Sequence, residues 1–421
     1  MQPGAEPGLP PFDPSILSRR AAAVSAGIQW SRGYRPTEPV PGKGEGPVEP
    51  IMLTGGLPDD DLLPADLLLE AAETVLRREK RFALQYGGTQ GAPSLREWLA
   101  AEHTRRDGVP VGPENVSLTN GAAGALANAC DTFIDPGDVV LVEAPTFPIF
   151  VRAARAAGAH LVGVPLDADG IVPGELERRL AEARAAGRRV KLLYTIPNFQ
   201  NPTGATMTLE RRRAVVELCR RHGVVILEDD AYGEIRFEGD RLPSLFSLAG
   251  GEGAIYVGTF SKTIAPGLRA GWALASKEIS DALASARFDM GASPFIQRVI
   301  AELCVSGKLA RHVPEAVALY RRKRDTMLAL LDERCSRYAR WNVPAGGFFL
   351  WLELAEGVDP DTLALAAAEE GIAYANGAAF FPDAAGEGQR FVRLAYSQVR
   401  EHDIPEAIMR LGRAMERAAG R

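Results

Sequence analysis

From about residue 114 onward the chain repeats one rhythm: a short run rich in Val, Ile and Leu, a loop, then a segment of helical period. The pairs are Asn115–Thr119 with Gly121–Phe133, Val139–Glu143 with Pro148–Ala157, and Leu161–Pro165 with Gly174–Ala186. Val190–Ile196, Leu209–His222, Val224–Asp229, Ala254–Gly258 and Gly271–Ala275 continue it. Such a rhythm predicts an α/β fold with a mostly parallel sheet covered by helices on both faces. Sheets of that kind bind ligands at the carboxyl ends of their strands. The rule selects Gly121, Pro145-Thr146-Phe147, Asn198–Gly204 and Asp229–Tyr232, each of which follows a strand.

On either side of this region the pattern changes. Residues 1–50 are rich in Pro and Gly, with one helical island from Ser15 to about Gln29, and read as an N-terminal arm. Helices are expected over Asp66–Arg81 and from Pro93 to about Arg106, with a Gly-rich turn around Tyr86 between them. A long helix from about Gln297 to Glu333, broken near Gly307, leads to strands at Gly346–Trp351, Ile372–Tyr374 and Arg390–Tyr396, with a helix over Asp359–Gly371. The expected division is an arm and helix over 1–50, a large domain over 51–310, and a smaller α+β domain over 311–421 that packs with the arm.

Charge and cysteine usage remove several classes of function. The 48 basic residues against 54 acidic ones give a net charge of −6, with no surplus to neutralise a nucleic-acid backbone. Cys130, Cys219, Cys304 and Cys335 are far apart, and no charged-then-apolar signal follows Met1, so a cytoplasmic protein is expected. The apolar runs are of strand length, well short of the roughly 20 residues a membrane helix needs. The five histidines show no ligand spacing, so no metal site is expected. Gly42–Gly46 lacks the flanking strand and helix of a phosphate loop.

Only seven of the basic residues are lysines, so a lysine among hydroxyls is conspicuous. Thr259-Phe260-Ser261-Lys262 is followed seven residues later by Arg269. An amine of lowered pKa there can bond a carbonyl, while Thr259, Ser261 and Arg269 supply donors for a phosphate. An ordinary solvated turn is the plainer reading of the same segment. Glu228-Asp229-Asp230 ends an apolar strand in carboxylates, which wants a cationic partner or a helix-capping role. Gly121-Ala122-Ala123 opens a helix straight after a strand, where free amides and the helix dipole favour an anion. Arg393 lies in an apolar strand and wants a carboxylate, from a substrate or from an ion pair.

Taken together, these segments resemble the class I/II aminotransferase family, of fold-type-I pyridoxal-phosphate architecture, and most of all its 2-aminoadipate and broad-specificity aromatic or branched-chain branch. The resemblance runs from Phe12-Asp13 and Gly55-Gly56-Leu57-Pro58 through Arg393. It implies pyridoxal 5'-phosphate as cofactor, with Lys262 as the Schiff-base lysine and proton carrier, Asp229 against the pyridine nitrogen, and Tyr232 and Asn201 on the phenolic oxygen. Arg269, Thr259, Ser261 and the amides of Gly121, Ala122 and Ala123 would hold the phosphate, and Phe147 would stack on the ring. Arg393, with the Gly56 backbone and Asn201, would clamp the substrate α-carboxylate. Tyr86 matches a tyrosine lent across a homodimer interface to the neighbour's phosphate.

Two departures from the family pattern stand out. Ala122-Ala123-Gly124 replaces the usual Ser-Gln-Gln, leaving only amides at that corner, and Asn376 stands where relatives commonly place proline. The implied reaction moves an amino group from an L-amino acid to a 2-oxo acid, 2-oxoglutarate or pyruvate, in two half-reactions. A lyase, oxidase or cyclase of specialised metabolism on the same scaffold is the alternative. A ligand-sensing regulator would need a DNA-binding unit, for which residues 1–50 are too short and too rich in Pro and Gly.

Overall fold

The computed structural model describes residues 40–41, 47–48, 50–382, 386 and 388–420 of the 421. Phe12-Asp13, the expected helix over Ser15–Gln29 and the Gly42–Gly46 segment lie outside the described residues.

A two-residue strand, β1 (Ile51–Met52), leads into helices α1 (Ala65–Glu79) and α2 (Pro93–Asp107). Helix α1 stops two residues before the expected Arg81. Lys80 adopts φ +52° and ψ −129°, a positive-φ conformation that ends regular helix, and a 3₁₀ stretch over Lys80–Leu84 follows.

Eight strands build the large sheet: β2 (Val116–Thr119), β3 (Val139–Ala144), β4 (His160–Asp167), β5 (Gly170–Ile171), β6 (Val190–Thr195), β7 (Val225–Asp229), β8 (Ala254–Thr259) and β9 (Gly271–Leu274). Their spatial order is β2-β9-β8-β7-β6-β3-β4-β5. β8, β7, β6, β3 and β4 run parallel, as expected; β9 runs antiparallel to both its neighbours, and β5 folds back on β4. Helices α3 (Gly121–Phe133), α4 (Pro148–Ala156), α5 (Pro173–Ala185) and α6 (Leu209–His222) alternate with the strands. Val139 and Leu141 join one apolar core while Val140 and Val142 join another. Successive side chains of a strand point to opposite faces, so a continuous Val/Leu run is what a sheet buried on both sides requires.

Beyond α7 (Lys277–Ser285), the expected long helix is two helices, α8 (Pro294–Val305) and α9 (Lys308–Arg334), separated by Gly307 at φ +71°. A second sheet follows, built from β10 (Ala339–Trp341), β11 (Phe349–Leu354), β13 (Ala375–Asn376) and β14 (Phe391–Ala395) in the order β10-β11-β14-β13. Helices α10 (Pro360–Glu369) and α11 (Ile404–Ala418) pack against it around a third core that includes Tyr320, Leu331, Phe348, Leu350 and Leu411. β12 (Ile372–Ala373) pairs in parallel with β1, and Leu53 joins this third core. Residues 51–53 therefore pack with the C-terminal part of the chain.

Candidate active site

Parallel strands end at one edge, so the loops after β3, β6, β7 and β8 converge there by construction. The reversal of β9 has a separate effect: it starts at that same edge, which delivers Arg269, two residues ahead of it. Twelve of the expected site residues line one cavity of about 610 Å³; Gly121 lies just behind it, and Tyr86 lies apart.

Lys262 sits in the cavity wall with its Nζ donating to the Gly56 carbonyl at 2.6 Å and standing 5.6 Å from the Tyr232 ring centre. Burial, with Arg393 and Arg269 adding repulsion, brings its amine down from 10.5 to about 8, against a smaller opposing pull from Asp229. An amine in that range is a usable base near neutrality. Gly56 has no room for a side chain, since a Cβ there would meet the Phe349 ring at 2.4 Å.

The two adjacent carboxylates after β7 face different surroundings. Asp230 accepts from Asn198 Nδ2 at 2.9 Å and from the Tyr256 hydroxyl at 2.7 Å, which makes it part of a buried network. Asp229 lines the cavity, with Oδ2 accepting from the Tyr194 hydroxyl at 2.8 Å. Among the described residues its buried Oδ1 has no hydrogen-bond partner. Burial raises its carboxyl to about 6, and an orphaned buried acceptor is costly unless something arrives to donate to it.

At the opposite wall Arg393 is 8% exposed and held between the rings of Phe349 and Phe380, at 4.1 and 4.7 Å. Its Nη1 donates to Asn201 Oδ1 at 2.8 Å and its Nη2 to the Thr54 carbonyl at 2.5 Å. The Asn201 amide nitrogen stays available to the cavity. Among the described residues no carboxylate hydrogen-bonds this guanidinium, and burial lowers its pKa to about 10.

The third corner gathers donors without neutralising them. Asn120, ahead of α3, makes no side-chain cap, so the first amides of that helix are free. Gly121 adopts φ +72°, and the Arg269 guanidinium lies where its Cβ would be, 2.8 Å from Nη2. Arg269 Nη2 donates to the Asn120 carbonyl at 3.0 Å. Thr259 and Ser261 flank the same wall, with their hydroxyls 2.9 Å apart. Ala122 and Ala123 line the cavity, so their side chains bring no donor. Phe147 also lines it, whereas Tyr86 is 81% exposed. Asn376 is not part of this wall; its side chain accepts from the Ala378 amide at 2.9 Å.

Sequence reading passed over two residues that brace this floor. Tyr194 is the sole donor to the Asp229 side chain among the side-chain contacts above, and Glu143 lies fully buried at the end of β3. Glu143 accepts from Thr195 Oγ1 at 2.5 Å, from the Ile196 amide at 3.2 Å and from Gln200 Nε2 at 3.0 Å. Gln200 also donates to the Pro145 carbonyl at 2.8 Å, which ties the Phe147 loop to the Asn201 loop. A carboxylate closing the run Val-Val-Leu-Val was the available signal.

Residues 50–411 match the family described as "Aminotransferase class I and II". The chain belongs to that family. This aminotransferase is 36% identical to aromatic-amino-acid aminotransferase 1 of Thermococcus litoralis over 87% of its own length and 88% of the relative's. Its fold matches a kynurenine aminotransferase from Pyrococcus horikoshii with TM-score 0.83 and 34% identity, covering 87% of this chain and 91% of that one. It also matches the α-aminoadipate aminotransferase of Thermus thermophilus, a structure complexed with N-(5'-phosphopyridoxyl)-L-leucine, with TM-score 0.81 and 36% identity over 88% and 93% of the two chains. The aminotransferase therefore has the fold-type-I architecture and uses pyridoxal 5'-phosphate to move amino groups. None of these proteins is named for elimination, oxidation or cyclisation, and the diverted chemistry is not favoured. Among the described residues, no helix is long and apolar enough to cross a membrane.

Proposed function

We propose that the 610 Å³ cavity holds pyridoxal 5'-phosphate on Lys262 and performs both halves of transfer from an L-amino acid to a 2-oxo acid, 2-oxoglutarate or pyruvate. The observation that carries this is the unpartnered Oδ1 of Asp229 in the same cavity as an amine held near neutrality. A protonated pyridine nitrogen is the kind of donor that atom lacks. The fit extends to the cradle around Gly121, where φ +72° and the missing Cβ let Arg269 lie against the helix start.

When bound, the cofactor supplies a carbonyl that takes the amino group and a ring that draws electron density from the substrate Cα. The protein's own part follows from its residues. Asp229 keeps the pyridine nitrogen protonated, while the Tyr232 hydroxyl and the Asn201 amide donate to the phenolic oxygen. Arg269, Thr259, Ser261 and the amides of Gly121, Ala122 and Ala123 hold the phosphate dianion. Phe147 offers a flat face to the ring. Arg393, with the Gly56 backbone and Asn201, binds the substrate carboxylate and so fixes which bond at Cα faces Lys262. The free Lys262 amine then takes the Cα proton and returns it on the other side of the transfer.

We further propose a cytoplasmic homodimer in which Tyr86 reaches the partner's phosphate site. Supporting this, Phe82, Leu84, Tyr86, Phe288 and Met290 are all at least 65% exposed, large apolar groups of the kind a second copy would cover. The four cysteines are buried and form no disulfide among the described residues, which suits a reducing compartment. The division into a large domain over 51–310 and a small one over 311–421 remains part of this reading.

Borohydride reduction of the purified protein with pyridoxal phosphate, followed by peptide mapping, tests the cofactor site. A pyridoxyl adduct on Lys262 is expected, and an adduct on any other lysine refutes the assignment. A screen of amino donors and 2-oxo acceptors, read by cofactor absorbance and product chromatography, tests the reaction.

A further inference from the structure

Lys323 on α9 is fully buried and lies outside the cavity wall. Its ammonium donates to the Asp59 carboxylate and to the Ser397 carbonyl, the latter at 2.9 Å. One turn earlier on the same helix, the Tyr320 hydroxyl accepts the Asp59 backbone N–H at 3.0 Å. Burying such a pair costs desolvation that mutual attraction barely offsets, so stability alone is a weak reason to keep it.

The two backbones it grips are those that meet at the carboxylate end of the cavity. Asp59 terminates the stretch whose Thr54 carbonyl takes Arg393 Nη2 and whose Gly56 carbonyl takes Lys262 Nζ. Ser397 lies four residues beyond Arg393 on the chain leaving β14. At its other end the same stretch is fixed by Leu53, whose N–H donates to the Ala373 carbonyl at 2.7 Å and whose carbonyl accepts from the Ala395 N–H at 2.8 Å. Residues 54–58 are thus strung between two anchors, and the Lys323 ammonium ties the far end of that span to the chain leaving the strand that carries Arg393.

We infer that Lys323 is a positioning residue for substrate carboxylate binding, acting by gripping Asp59 and Ser397 so that Thr54, Gly56 and Arg393 keep their spacing. The inference rests on Arg393 being the carboxylate clamp. Amino donor and 2-oxo acceptor both carry that carboxylate, so both half-reactions feel the change, and binding suffers more than turnover.

The test uses holoenzyme with the best donor and acceptor from the screen, comparing wild type with Lys323→Met and Tyr320→Phe. Lys323→Met is expected to raise both KM values about tenfold with kcat within about threefold, and Tyr320→Phe to move both KM values about two- to threefold in the same direction. In the cofactor-free protein, amide exchange of peptides over residues 53–59 and 393–397 should quicken together in both variants. Unchanged KM values in folded variants, or a fall in kcat at constant KM, overturns the inference. If Lys323→Met fails to fold, Tyr320→Phe and the exchange data decide. A wild-type protein that transfers no amino group refutes the functional reading instead, and the exchange measurement then judges the grip by itself.

Discussion

The Tyr194 hydroxyl donates to one oxygen of the Asp229 carboxylate at 2.8 Å, and the other, buried, has no hydrogen-bond partner among the described residues. The strand residue orients the acid, and the bare oxygen defines where a cationic donor must sit. Asp229 is raised to about 6 chiefly by burial, so a cation against Oδ1 would draw it back toward the ionised form.

Asp229→Asn keeps the shape and removes the charge. Catalytic turnover with the best donor should fall about 10²–10³-fold, the size of effect seen when one preorganised electrostatic group is lost from a buried site. Steady-state kinetics at saturating cofactor is the measurement, and a loss under tenfold would count against the pyridine-nitrogen role.

In the cofactor-free protein, Lys262 should titrate near pH 8 rather than 10.5. Competitive labelling with acetic anhydride across pH, read by mass spectrometry, reports that midpoint. Arg393→Met removes a neighbouring positive charge that disfavours the ammonium form, so the midpoint should move upward. A midpoint that stays put or falls contradicts the electrostatic account.

Glu143 should make the apo protein less stable as pH rises. Its folded-state carboxyl is lifted by burial from 4.5 to about 7, so the folded chain binds the proton more tightly than the unfolded one. That contribution is fully present below about 4.5 and is lost as pH climbs through about 7. Melting temperatures of wild type and Glu143→Gln across this window check it: the variant should show the shallower decline.

Gly271→Ala should loosen the phosphate corner from behind. A Cβ at Gly271 would lie 2.6 Å from the Gly121 carbonyl carbon and 2.8 Å from the Ala122 nitrogen. Overpacking of this kind costs roughly 1–3 kcal/mol, and here it displaces the amides proposed to hold the phosphate. Cofactor affinity by fluorescence titration should drop, while Gly267→Ala, with nothing within 4 Å of the new Cβ, should leave it unchanged.

Periodicity and strand-end logic made most of the scaffold readable. Gly121–Phe133 and Leu209–His222 are helices over the same residues that the pattern marks. The cavity residues follow because a parallel sheet puts its loops at one rim. The braces were not readable, since their partners are remote in sequence: Glu143 meets donors 52 to 57 residues away, and Lys323 meets Asp59 across 264. An acid in an apolar strand signals that some donor exists, but not which one. Where α1 ends was also hidden, because Lys80 adopts its positive φ without being a Gly or Asn that would announce it.

The helix start at Gly121 offers main-chain amides and, with alanine at 122 and 123, no side-chain donor. No substitution short of proline deletes a main-chain donor, so other mutations at 122 or 123 have little to take away. The vulnerability of this corner moves to residues that shape the backbone from a distance, and drift in the phosphate grip proposed for it is to be sought at glycines such as 121 and 271.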